Sequence, residues 1–140
     1  KRFQLDKMTS QLPVCRPVTF GTIGRREVAF LARHGYGHTI PPHEVNYRAN
    51  IWALRSLNVR WVISVTAVGG LRKRIKPRDL VVPDQLIDRT GTGAKHTFFG
   101  NGIAAHVGFA DPYCPDLRKV LIKAAKPLAK KVHKEGTIFA

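Results

Sequence analysis

Acidic residues are scarce in this chain: nine Asp and Glu stand against 24 Lys and Arg, for a formal charge of +15 and a pI near 10.7. Such a balance ordinarily favours polyanionic partners. Here the charge is scattered, with its densest runs at residues 72–78 and in the terminal segment that carries Arg118, Lys119, Lys123, Lys126, Lys130, Lys131 and Lys134. Cations that interrupt an apolar stripe in this way fit a solvated outer helix face better than a nucleic-acid surface. Cysteine is also nearly absent. Cys15 and Cys114 lie far apart in no CxxC or ligand spacing, so reduced thiols in a cytosolic protein are expected. No apolar run approaches a bilayer span, and the opening KRFQLDKMTSQLP lacks a signal-peptide apolar segment; the expectation is a cytoplasmic protein. No serine occupies a GxSxG context, which argues against a Ser/His/Asp hydrolase. His34 and His38 are four apart, but Gly35 and Gly37 oppose a helical presentation and no acidic third ligand is near. No metal is therefore expected. His43, His96 and His133 read as solvated.

What is present suits one globular domain: 140 residues with 44% hydrophobic content, enough to bury a core. Residues 1–16, with Pro13 and nearby Pro17, read as a poorly ordered lead-in. Two β-favouring runs, residues 18–23 and 27–32, flank Gly24, Arg25 and Arg26 as a hairpin. Arg25 would sit uncomfortably if the turn demanded positive φ there. After Pro41 and Pro42, the helical spacing of Val45, Ala49, Trp52, Ala53 and Leu57 predicts a helix with an inward apolar stripe. Residues 59–65 are nearly all apolar and predict a central strand covered on both faces; Trp52 on the helix face and Trp61 in the strand therefore read as core residues. Residues 79–83 and 85–87 predict a β segment broken by Pro83, and residues 136–140 begin another β-like run. Pro115 can open a helix with Asp116 at its positive end, and Pro127 should kink or shorten it. The alternation is that of an α/β layer fold.

The segment RHGYGHTIPPHEVNYRANIWAL, from Arg33 to Leu54, joins an Arg/His/Gly loop to the amphipathic helix. A guanidinium fork suits phosphate or carboxylate, and an adjacent imidazole can donate a further hydrogen bond. The same spacing also suits a solvated surface loop. Thr66 and Ala67 follow the predicted strand at its carboxyl end, where ligands bind in open α/β sheets; a plain strand-to-loop transition reads the same way.

This segment, together with VISVTAVGGLRKRIKPRDLVVPDQLIDRT and HVGFADPYCPDLRKVL, resembles the purine nucleoside phosphorylase superfamily, and within it the 5'-methylthioadenosine phosphorylase branch. The likeness runs from about Gly21 to Thr137. It implies an α/β fold with a mixed sheet flanked by helices, incomplete here, with residues 17–140 forming a partial nucleoside phosphorylase domain. It also implies phosphate-dependent cleavage of 5'-methylthioadenosine to adenine and 5-methylthioribose 1-phosphate. By that resemblance Arg33, His34 and Thr66 bind phosphate, while Ala67 and His106 bind substrate, His106 by reaching across a subunit interface; a satisfied loop histidine reads equally well at that position. The implied partners are a purine nucleoside and inorganic phosphate as co-substrate, with no cofactor, no membrane and a homotrimer when complete; nucleic acid is not expected.

The chain departs from the pattern at several points. Tyr36 replaces the usual Arg of RHGRGH, Gly70 a usual Ser, and Lys73, Arg74 and Arg78 two acids and a glycine. No GGSG-like segment precedes Val18, and the sequence ends at GTIFA, before the EGPRF portion. The resemblance therefore implies a partial phosphate site, a missing purine site, and inactivity for the 140-residue chain alone. The alternatives are a noncatalytic relative that binds phosphate or a sugar phosphate, or a basic RNA-binding module.

Overall fold

The computed structural model describes residues 2–3, 18–91 and 97–140; the expectations for Pro13, Cys15, Pro17 and His96 lie outside these residues. Two compact units divide the chain, one holding residues 1–62 with 96–98 and the other residues 63–95 with 99–140.

In the first unit, β1 (Arg2–Phe3), β2 (Val18–Ile23) and β3 (Arg26–Leu31) form an antiparallel sheet in that order. Ile23 pairs with Arg26 across the two-residue turn. Gly24 has φ +61° and Arg25 is not in the positive-φ region, the pattern of a turn that requires glycine only first. Arg25 is thus accommodated without strain. Helix α1 (Tyr47–Ser56) starts where the Asn46 side chain accepts the Ala49 N–H at 3.0 Å, closing one of the orphan donors of the first turn. It stops at Asn58, which has φ +56°. There the Val59 N–H reaches Leu54 O and the Asn58 N–H reaches Arg55 O, a paired bonding pattern that satisfies terminal carbonyls. Ala49 and Ala53 are buried and pack with Leu31, as the spacing predicts. Trp52 does not join them; lying 100° round the helix from Ala53, it is 49% exposed.

The predicted central strand is also different. Residues 59–70 belong to no described ladder, and Trp61, Val62, Ile63 and Val65 are 53–82% exposed. An apolar run becomes a buried strand only when other elements supply its edges and cover its faces. Neither tryptophan is a core residue.

The second unit is parallel. β4 (Leu80–Val81) pairs with β6 (Val132–His133), and β5 (Gln85–Ile87) pairs with β7 (Thr137–Phe139). The two ladders are one ribbon interrupted at Pro83, because the Val82 N–H reaches His133 O at 2.9 Å and the Asp84 N–H reaches Gly136 O at 3.3 Å. Gly136 itself donates to Asp84 Oδ1 at 2.8 Å. A Cβ there would meet Val81 Cγ1 at 3.2 Å, so glycine suits this close approach. Helix α2 (Pro115–Ala125) opens on Pro115 and ends two residues before Pro127, as that proline requires.

Two side chains read as solvated turn inward. Arg118 donates from Nε to Pro83 O at 2.7 Å and from Nη2 to Lys134 O at 2.6 Å, holding both strands at the interruption. His133 meets Asp79 at 2.8 Å, with side chains only 9% and 8% exposed. The pairing of β4 with β6 buries this contact, which no local pattern signals. Asp79 also accepts the Lys76 N–H at 2.9 Å. That backbone bond, followed by the His133 bond, lowers the Asp79 pKa below its ordinary value. A carboxylate depressed in the folded state contributes stability above its unfolded pKa and loses it as pH falls through the folded one. Acid unfolding followed by circular dichroism is expected to steepen below about pH 4, and Asp79→Asn to flatten that limb; identical acid limbs would remove Asp79 from the account.

Arg78, just before, has φ +72°, where a side chain costs about 1–2 kcal/mol. Arg78→Gly is therefore expected to raise stability by about 1 kcal/mol after glycine's own entropy cost. Urea denaturation checks this, and a loss of stability would show that Arg78 makes compensating contacts.

Candidate functional site

The loop after β3 turns back on itself through short bonds. The Gly35 N–H reaches Ala32 O at 2.8 Å and the Ile40 N–H reaches His34 O at 3.0 Å. Gly35 is buried with φ +74°, and an added Cβ would stand 3.4 Å from Ile40 Cδ1 and Thr39 Oγ1. Both backbone angle and space therefore call for glycine at this position. The consequence is that Arg33 and His34 are presented side by side, each partly buried.

His34 is tied at both ring nitrogens. Nδ1 lies 2.9 Å from Ile40 O; a carbonyl can only accept, so Nδ1 carries the proton. Nε2 then accepts from Arg33 Nε at 3.1 Å. The ring is the neutral Nδ1–H tautomer, and in this state it orients the guanidinium. His38 stacks on it, ring centroids 4.5 Å apart. With Nε turned to His34, the Nη1/Nη2 edge is the one suited to a two-pronged contact with an oxyanion. Tyr36 is exposed and its hydroxyl bonds Thr19 Oγ1 in β2.

Of the residues singled out from sequence, the structure brings Arg33 and His34 into contact. Thr66, Ala67 and His106 belong to the second unit and are exposed; the Thr66 hydroxyl donates to Ala67 O at 3.4 Å. Sequence reasoning did not find the Ile40 carbonyl, because a backbone acceptor leaves no residue-type signal. The four-residue spacing of His34 and His38, weighed as a metal pair, marks a ring stack. Among the described residues no three His, Cys, Asp or Glu converge as a metal site, and no helix is long and apolar enough to cross a membrane.

Comparison with known proteins places this loop in context. A family model described as Phosphorylase superfamily matches residues 5–140. The chain is 56% identical over 120 residues to S-methyl-5'-thioadenosine phosphorylase of Hyperthermus butylicus, covering 86% of this chain and 43% of that protein. It is 54% identical over 142 residues to the protein of that name from Prochlorococcus marinus, covering 97% and 45%. A 6-oxopurine nucleoside phosphorylase of Pyrococcus furiosus is 48% identical over 126 residues, with 86% and 48% covered. Among solved structures, methylthioadenosine phosphorylase from Schistosoma mansoni in complex with adenine superposes with a TM-score of 0.81 at 33% identity, over 90% of this chain and 53% of that one. The mixed α/β fold expected from sequence is the fold of these neighbours. The chain spans somewhat under half the length of the curated relatives it matches. A match over nearly all its residues, at identities near one half, shows that the chain belongs to the phosphorylase superfamily.

Proposed function

We propose that the protein acts in phosphate-dependent cleavage of 5'-methylthioadenosine to adenine and 5-methylthioribose 1-phosphate. The observation that carries this reading is the Arg33 guanidinium held by His34 in a glycine-closed loop, in a chain similar to S-methyl-5'-thioadenosine phosphorylases. A phosphate oxygen forms the new bond to C1' while the glycosidic bond breaks and its electron pair leaves with the purine, which takes up a proton. Such chemistry asks for positioning and for charge stabilisation. Arg33 supplies both to the phosphate, and His34 fixes the direction from which it does so. In this reading Thr66 also binds phosphate, Ala67 and His106 bind the substrate, inorganic phosphate is the co-substrate, and the working assembly is a cytoplasmic homotrimer.

A second reading, binding of phosphate or a sugar phosphate without turnover, draws support from the exposure of Thr66, Ala67 and His106. The test is phosphate titration by calorimetry alongside adenine release from methylthioadenosine. The 140-residue polypeptide is expected to bind phosphate without releasing adenine, since it spans less than half of its relatives. Adenine release would establish the enzyme in this polypeptide itself. No phosphate binding would sink both readings.

A further inference from the structure

Two basic runs that stand more than fifty residues apart in sequence meet in the second unit. The pairing of β4 with β6 sets Leu80 beside Val132, and the Leu80 N–H bonds Lys131 O at 3.0 Å. This brings the turn carrying Arg72, Lys73, Arg74, Lys76 and Arg78 against the segment carrying Lys130, Lys131 and Lys134. All eight of these cations are exposed. None forms a salt bridge with a described residue. Of the nearby acids among the described residues, Asp79 is already held by His133 and the Lys76 N–H and the exposed Asp84 accepts the Gly136 N–H, which leaves Glu135 as the exposed carboxylate that lines the concavity. Arg74, Lys134, His133, Val132 and Glu135 line an open concavity of about 370 Å³ between the two runs. Arg78 stands at φ +72°, so a charged side chain is kept where glycine would be less strained.

We propose that this surface docks the phosphodiester backbone of a nucleic acid, without reading its sequence. Clustered cations release condensed counterions when they neutralise phosphates, which supplies affinity without base contacts. The concavity between Arg74 and Lys134 fits a ridge of phosphates; a flat bilayer surface would make no use of it. Every residue of the patch lies in the second unit, and none of them is among the residues of the Arg33 loop.

The test is fluorescence anisotropy of a labelled 20-base-pair DNA duplex titrated with the chain between about 50 and 200 mM salt, the range over which such binding weakens most. Log K is expected to fall linearly with log salt. The triple variant Arg72→Ala, Lys73→Ala, Arg74→Ala should make the slope shallower by about 2.7, at about 0.9 for each phosphate no longer neutralised. Removing Lys119, Lys123 and Lys126 from α2 and its end as alanines takes away the same charge outside the patch and should leave the slope within about 0.9 of the parent's. Arg78→Gly, expected to be the better-folded protein, should by itself reduce the slope by about 0.9, so a folding defect in the triple variant does not obscure the result. Equal effects of the patch and α2 triples, an unchanged slope in Arg78→Gly, or binding to vesicles of anionic phospholipid but not to the duplex would each overturn the proposal.

Discussion

Arg33→Ala is expected to weaken phosphate binding by about a hundredfold, roughly 2.7 kcal/mol, the loss typical of removing one oriented donor from an anion site. The reason is geometric. Arg33 is held at Nε by a histidine whose other nitrogen is fixed to a backbone carbonyl, so its orientation is set before an anion arrives and little ordering remains to be done on binding. Arg33→Lys is expected to recover little, because an ammonium can neither take the same alignment from His34 nor present two parallel donors. His34→Ala should give a smaller loss, about five- to tenfold, since the guanidinium remains but its direction is no longer fixed. Calorimetric titration with phosphate measures all three, and thermal melts of the same samples should barely move, because both side chains are only partly buried on a surface turn. A full recovery by Arg33→Lys would mean that the loop offers a point charge and nothing more.

Arg118→Leu is expected to destabilise the second unit by about 2–3 kcal/mol, a value set by two charge-assisted bonds of which one lies near solvent. Both carbonyls it serves, Pro83 O and Lys134 O, sit where the parallel ribbon is interrupted. Leucine keeps the helix and much of the volume but leaves those oxygens to find water. Arg118→Lys should restore one bond at most, hence about half the loss. Urea denaturation monitored by amide exchange at Val82 and Asp84 would locate the effect; a uniform loss across both units would show that Arg118 acts through something other than the ribbon.

Much of this fold is legible in the sequence, and the reasons differ from element to element. The hairpin follows from two β-rich runs around Gly24, α1 from the Ala49 and Ala53 spacing, and the end of α2 from Pro127. These are local rules, read within a few residues. Residues 59–65 carry an equally strong apolar signal, yet their burial depends on neighbours that the run itself does not encode, and Trp61 is exposed. His133 and Arg118 fail for the same physical reason: their partners, Asp79 and Pro83, are 54 and 35 residues away. At the candidate site, residue types pointed to Arg33 and His34, while the tautomer of His34 waited on the position of the Ile40 carbonyl. The two basic runs each looked like solvent-facing charge when weighed singly, and strand pairing alone sets them side by side.

Pro83 has a further meaning once its register is considered. In the parallel ribbon the N–H groups of Leu80, Val82 and Asp84 point to the neighbouring strand, so position 83 belongs to the outward set. Proline has no N–H to give there, and its carbonyl is already taken by Arg118. An incoming strand seeking to extend the ribbon would find one donor missing and one acceptor occupied at the same step. A proline one residue earlier or later would instead cut the ribbon itself. Placed at 83, it lets the ribbon close on one partner and refuse the next.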